Sequence, residues 1–130
     1  MAYSTSADGI NKYNSIVGSY LDKATGRRHG FKRYSNGSYN DLLYPAKNSW
    51  GSWETYPRGI NDNGVVVGTY FDASNQARGF VYHSGQWATL DYPNSASSYT
   101  NTEIWGISNS DIIVGTGYDN GFTPLRKWHV

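Results

Sequence analysis

The sequence predicts an all-β chain built from three repeated antiparallel units, and three observations carry that prediction. The first is a pattern of Gly-Ile-(Asn/Ser) followed by Val-Gly, which occurs three times. It reads Gly9-Ile10-Asn11 with Val17-Gly18, Gly59-Ile60-Asn61 with Val67-Gly68, and Gly106-Ile107-Ser108 with Val114-Gly115. The second glycine stands nine positions after the first in every copy, and self-similarity on a period of roughly 50 residues marks a repeat architecture. The second observation is composition, with 12 Tyr, 5 Trp and 15 Gly among 130 residues. Aromatic side chains suit pleated, half-buried surfaces, while Gly and Asn supply tight turns. The third is that no segment of ten or more residues keeps a helical apolar stripe, because Gly, Asn and Ser interrupt every candidate.

The units span about residues 2–48, 49–95 and 96–130 of one repeat domain, the last incomplete. In the second unit, Trp53 to Arg58 is the first strand and Asn61-Asp62-Asn63-Gly64 the turn after Gly59-Ile60. Asn-Gly between apolar stretches is a strong hairpin signal because both residues tolerate positive φ. Val65 to Tyr70 is then a strand, Ala73 to Gln76 a loop, and Arg78 to Tyr82 a third strand turning at Ser84-Gly85. Gln86 to Tyr92 is the fourth strand and stops at Pro93, which cannot donate to a ladder. The first unit repeats this order with strands Tyr3 to Asp8, Ser15 to Tyr20, His29 to Tyr34 and Tyr39 to Tyr44, ending at Pro45. Its loop is Asp22 to Gly26 and its later turn Asn36-Gly37. The third unit supplies Thr100 to Trp105, Ile112 to Thr116, a turn at Asn120-Gly121 and Leu125 to Trp128, with a fourth strand expected where the sequence stops at Val130. The polar connectors Ala46 to Gly51 and Asn94 to Ser98 read as loops between units. In this reading the first glycine of each motif ends strand one, the Asn-rich turn reverses the chain, and the second glycine allows close packing.

These units resemble the bacterial extracellular repeat family known as HAF. Its unit runs Gly-Ile-Asn, a short turn, Val-Val-Gly-x-Tyr, then His-Ala-Phe with an aromatic, a Gly turn and a Leu. The matching residues are Gly9-Ile10-Asn11, Ile16-Val17-Gly18-Ser19-Tyr20, His29-Gly30-Phe31 and Leu42 or Leu43. In the second unit they are Gly59-Ile60-Asn61, Val66-Val67-Gly68-Thr69-Tyr70, Arg78-Gly79-Phe80 and Leu90. The third unit matches only through Gly115, and Thr123-Pro124-Leu125 departs from the pattern. The resemblance implies a β-propeller-like repeat in an extracellular or cell-envelope setting, with no activity assigned and no catalytic residue to carry over.

Closure then becomes a question. Three four-stranded units do not close a propeller, which typically takes four to eight blades, and an open stack leaves unpaired strand edges. Two copies would give six blades, with a strand from the partner finishing the third unit, so a homo-oligomer is expected. The chain could equally be part of a longer array, or three sheets could close as a β-prism or β-trefoil. A trefoil needs hairpin-plus-barrel units, whereas each unit here reads as a simple meander, which favours the propeller-like arrangement.

Composition narrows the function classes. The formal net charge is +1, and the only local basic cluster is Arg27-Arg28 with Lys32-Arg33, which reads as a solvated strand and turn. No nucleic-acid partner is expected. The absence of cysteine excludes disulfides, thiol catalysis and Cys-based zinc sites. No apolar run approaches the roughly 20 residues of a membrane helix, so no membrane insertion is expected. The start, Met1-Ala2-Tyr3-Ser4-Thr5, lacks the basic and apolar regions of a signal peptide. Export would therefore require a signal already removed or another route.

Four candidate chemistries follow. Glycan binding would use flat Trp and Tyr faces against sugar C–H groups, with Asn, Asp, Glu and Arg hydrogen-bonding the hydroxyls. Aromatics recur near strand one as Tyr3, Trp53 and Tyr99, with Trp50 and Trp105 close by, and the only glutamates, Glu54 and Glu103, lie beside them. The ligand-binding candidates are thus Trp50, Trp53, Glu54, Tyr99, Glu103 and Trp105; the competing reading makes these aromatics packing between repeats. Metal binding would use Asp22, Asp72 and Asp119 with Asn75 and Asn120, but Asp at a strand end more often caps a turn, so no metal or cofactor is expected. Catalysis is not expected either. His29, His83 and His129 share no repeat position, and His-Glu-x-x-His and Gly-x-Ser-x-Gly are absent. A glycosidase needs two carboxylates about 5–10 Å apart, and Glu54 and Glu103 belong to different units. The fourth candidate is assembly through an unpaired strand edge. The sequence therefore points to a non-enzymatic, lectin-like carbohydrate-binding module, with a structural or protein-protein assembly module as the alternative.

Overall fold

A computed structural model describes residues 2–45, 54–72, 74–90, 101–118 and 124–129, with the backbone alone at 2–3 and 124–129. Every regular element in them is a strand. The strands are β1 (Ala2–Ile10), β2 (Ile16–Asp22), β3 (Arg27–Arg33), β4 (Tyr39–Leu42), β5 (Thr55–Ile60), β6 (Val66–Phe71), β7 (Ala77–His83), β8 (Gln86–Thr89), β9 (Asn101–Ile107), β10 (Ile113–Tyr118) and β11 (Pro124–His129). They form three open antiparallel sheets in chain order, β1-β2-β3-β4, β5-β6-β7-β8 and β9-β10-β11. The second sheet lies between the others: β5 packs on β1, β2 and β3, and β9 packs on β5, β6 and β7.

Burial along equivalent strands reports this layering. In β6 every residue from Val66 to Tyr70 is buried, as expected of a strand covered on both faces. Val66 and Tyr70 join Val17, Leu42, Ile60 and Phe80 in one core toward the first sheet. Val67, on the opposite face, joins Ile104 and Ile113 in a second core toward the third sheet. In β10 burial alternates, with Ile113, Gly115 and Gly117 buried and Val114 exposed, as a strand covered on one face requires. Pro57 is tolerated within β5 because β5 is an edge strand.

The structure corrects the role of the first motif glycine. Strand one does not end there: β1, β5 and β9 each run through Gly-Ile to Ile10, Ile60 and Ile107. A register shift instead falls just before each glycine, between Ala7 and Gly9, Pro57 and Gly59, and opposite the Val114/Gly115 step. Such a β-bulge re-aims the strand and brings the glycines of successive sheets together. A Cβ on Gly9 would lie 3.1 Å from the Gly59 Cα, and one on Gly59 would lie 3.2 Å from the Gly106 Cα. The second motif glycine is required within its own sheet, since Cβ atoms on Gly18 and Gly68 would fall on the Ser6 and Tyr56 carbonyl oxygens.

The third motif residue closes the turn and links the sheets. Asn61 Oδ1 accepts from the backbone N–H groups of Asn63 and Val65, as Asn11 Oδ1 does from Tyr13 and Ser15 and Ser108 Oγ from Ser110 and Ile112. The amide Nδ2 then reaches the next sheet, from Asn11 to the Asn61 carbonyl and from Asn61 to the Ser108 carbonyl, each at 3.0 Å. Positive φ in these turns falls on one residue, at Asn14, Gly64 and Asp111, not on both members of the expected Asn63-Gly64 pair. Ser84 and Gly85 do both have positive φ.

One further expectation changes. β4 stops at Leu42, not at Tyr44, because Tyr44 leaves the first sheet and stacks on Tyr70 of the second with ring centroids 3.7 Å apart. The connectors at 46–51 and 94–98, the turn at 120–121, and residues 91 and 92 lie outside the described residues.

Candidate functional site

The chain's aromatic load divides between packing and surface. Tyr44, just beyond the last strand of the first sheet, meets Tyr70, Phe80 and Trp87 of the second, and Trp87 also packs on Phe80 and Tyr82. The Tyr44 hydroxyl bonds Thr89 at 2.6 Å, and Tyr70 reaches the same hydroxyl at 2.8 Å. These rings are the mortar between two sheets. Large exposed aromatics among the described residues are Tyr13, Tyr39 and Trp105.

Of the residues singled out from sequence, Trp50, Trp53 and Tyr99 lie outside the described residues. Trp105 is half exposed, donates from Nε1 to Thr116 at 3.3 Å and carries the Arg58 guanidinium 5.3 Å above its ring. Glu54 is partly buried at the foot of β5, where its carbonyl accepts from the Phe71 N–H. Register places Glu54 beside the position of Asn101 in the next repeat, and Glu103 beside that of Tyr56. The two glutamates therefore do not form a repeated pair.

Glu103 does line a cleft of about 560 Å³ between the second and third sheets. Phe71, Asn75 and Gln76 form one wall from the end of β6 and the loop after it, and Asn101, Glu103 and Tyr118 form the other from β9 and β10. Asp72 shapes the loop: its Oδ1 accepts from the N–H groups of Ser74 and Gln76, and its Oδ2 from Arg78 Nε at 2.8 Å. Asn75 takes positive φ there, and Asn101 Oδ1 accepts from the Ala77 N–H across the sheets at 2.9 Å. The cleft thus has two aromatic side chains, one on each wall, amide groups on both walls and a single carboxylate, Glu103, on the wall from β9 and β10. Sequence reading noticed Asn75 only as part of a metal loop and missed Phe71, Gln76, Asn101 and Tyr118. They come from two repeats, and no local pattern joins them.

Two of the three recurring aspartates, Asp22 and Asp72, are turn caps. Asp22 accepts from the Ala24 N–H and the Thr25 hydroxyl, and its carboxyl is held below the usual range by that backbone N–H foremost. Asp119 lies outside the described residues. Among the described residues no three His, Asp or Glu side chains gather as a metal site requires, and no helix is long and apolar enough to cross a membrane.

On the outer face of the first sheet the Tyr20 hydroxyl donates to Asp41 at 3.1 Å and lies 3.3 Å from His29 Nδ1. Burial first, then the bond to Asp41 and the nearby carboxylate charges, push the Tyr20 hydroxyl up to about 12. A tyrosine whose folded value exceeds its unfolded one favours the fold below about pH 10, and that contribution is lost as pH rises toward the folded value. Phenolate absorbance should therefore show a late step near pH 12 that Tyr20→Phe removes. An unchanged alkaline titration in that variant would show that another group produces the step.

Comparison with protein-family models, curated protein sequences and solved structures returned no match.

Proposed function

We propose that the chain is a non-enzymatic binding module that takes a carbohydrate in the cleft between the second and third sheets. One observation carries this reading: Phe71 and Tyr118 share a cleft of about 560 Å³ with Glu103, Asn75, Gln76 and Asn101. Ligand sites commonly combine apolar lining with a few convergent polar groups. A sugar ring offers flat C–H faces to aromatic rings and hydroxyls that donate to carboxylates and exchange bonds with amides. The volume suits one or two sugar rings and lies within the range of small-molecule sites. Trp105, outside this cleft, is assigned to packing with Arg58.

The same reading takes the three sheets as successive blades of a propeller-like array, in the extracellular or envelope setting that the resemblance to HAF repeats implies. Its support is that the second and third sheets each turn the same register face toward the sheet before them. The alternative is an assembly module without a small ligand, favoured by the apolar residues left exposed on the outer sheets.

A glycan array followed by titration calorimetry tests the reading. Glu103→Ala and Tyr118→Ala should each weaken binding at least about tenfold, the scale of one charge-assisted hydrogen bond, with the far-ultraviolet circular dichroism unchanged. A folded protein that retains no glycan on the array, or binding that survives both substitutions, would remove the assignment.

A further inference from the structure

We infer that the outer face of the first sheet is a docking site for the outer face of the third sheet of a second copy, in a head-to-tail contact that repeats the two interfaces inside the chain. The inference is independent of the carbohydrate cleft.

Register supplies the argument. Ile10 and Ile16 are paired on the first sheet as Ile60 and Val66 are on the second. Ile60 and Val66 are buried against the first sheet, at 6% and 0% exposure, whereas Ile10 is 61% exposed. At the far end the relation reverses. Val17 and Val67 occupy the same motif position as Val114, and both are fully covered by the following sheet, while Val114 is 48% exposed. Each end of the stack therefore shows one half of an interface whose complete form occurs twice within the chain.

The motif glycines give the same answer independently. Gly9 and Gly59 are each covered by a glycine of the next sheet. Among the described residues, a Cβ on Gly106 would meet only Val114 of its own sheet, at 3.6 Å. A recess of about 290 Å³ on the first sheet is lined by Ala7, Asp8, Gly9, Ile10 and Ile16. The same place on the second sheet is where Gly9 and Val17 of the first sheet sit. The recess is thus shaped for their equivalents, Gly106 and Val114, from a second copy.

One part of the internal interfaces is not reproduced. The Lys12 N–H donates to Asp62 Oδ1, and the Asp62 N–H to Asn109 Oδ1. The next step would present the Asn109 N–H to Lys12, whose side chain has no acceptor, and the Ser108 side chain has no amide to donate onward. The contact between copies is therefore weaker than those within the chain, and association should be reversible and concentration-dependent. Head-to-tail contacts close into rings when the rotation allows and otherwise extend.

Sedimentation equilibrium of the whole chain tests this. The mass should rise from 14.5 kDa toward a multiple of it with concentration. Val114→Arg on the third sheet and Ile10→Lys on the first should each hold the protein at 14.5 kDa. An equimolar mixture of the two should recover a pair, because one intact face remains on each. Gly106→Ala, which has room for its methyl group in the isolated chain, should also lower the mass without loss of fold. A wild-type chain still monomeric at about 1 mM, the weak limit of specific association, overturns the inference. So does dissociation by only one of the two charged variants, which would indicate a symmetric contact through a single face.

Discussion

Phe80→Ala is expected to lower folding stability by about 3–5 kcal/mol, the range for emptying a buried phenylalanine site. That is a large part of the roughly 5–15 kcal/mol that holds a typical domain together. Phe80 is fully buried where the first two sheets meet, with Trp87 at 5.2 Å and Tyr44 at 6.4 Å between ring centroids. The rings around it are anchored and cannot collapse into the space: Tyr44 and Tyr70 both hold the Thr89 hydroxyl. Phe31 occupies the same register position on the first sheet, paired across the strands with Gly18 as Phe80 is with Gly68. Among the described residues its ring neighbour is Tyr39, edge-on at 5.9 Å, and it borders an open groove of about 280 Å³. Phe31→Ala should therefore lower stability by a smaller amount than Phe80→Ala. Urea unfolding of both variants measures the difference. Equal losses would mean that the aromatic wall between the sheets is not where the stability resides.

The contrast between these phenylalanines also marks where the sequence stops being readable. Alternation and turn residues identify which side chains share a face of a strand, because the side-chain period of two is local. They do not tell which face another sheet will cover. Val66-Val67-Gly68-Thr69 and Ile113-Val114-Gly115-Thr116 are nearly the same text, yet Val67 is fully buried and Val114 half exposed. The difference is position in the stack. For the same reason the aromatics could be counted but not assigned to core or surface. Tyr44, expected at the end of a strand, instead fills the groove of the neighbouring sheet.

The candidate site was legible only through Glu103. Its companions in the cleft lie at the end of β6, on the loop after it, and on β9 and β10, brought together by packing of one repeat on the next. The turn at Asn61 was legible as a turn but not as a joint. That its side chain accepts two N–H groups from its own turn and donates to the Ser108 carbonyl follows from tertiary placement. The substitution of Ser108 for asparagine in the third motif keeps the turn bonds and drops the outward donor. Local turn geometry and contact between repeats are thus carried by different atoms of one side chain, and only the first leaves a pattern in the sequence.

Gly68→Ala is expected to be strongly destabilising although it adds only one methyl group to the second sheet. The reason is space, not backbone conformation, since Gly68 is not among the residues with positive φ. Its Cβ would fall on the Tyr56 carbonyl oxygen, 2.8 Å from the Pro57 Cα and 3.0 Å from the Phe80 ring. The first two obstacles are backbone, fixed by the shifted pairing between β5 and β6, so relief requires moving an edge strand that packs on both neighbouring sheets. Overpacking commonly costs about 1–3 kcal/mol and more where the neighbour cannot yield, so a loss at or above the top of that range is expected. Gly106→Ala, in the third copy of the motif, adds the same methyl group at a place that, among the described residues, meets only Val114 at 3.6 Å. Restriction of the unfolded chain should then leave it within about 1 kcal/mol of the parent. Denaturant midpoints of the two variants decide the matter. If Gly68→Ala unfolds at the parent midpoint, the bulge can relax, and the second motif glycine is not fixed by the carbonyl beneath it.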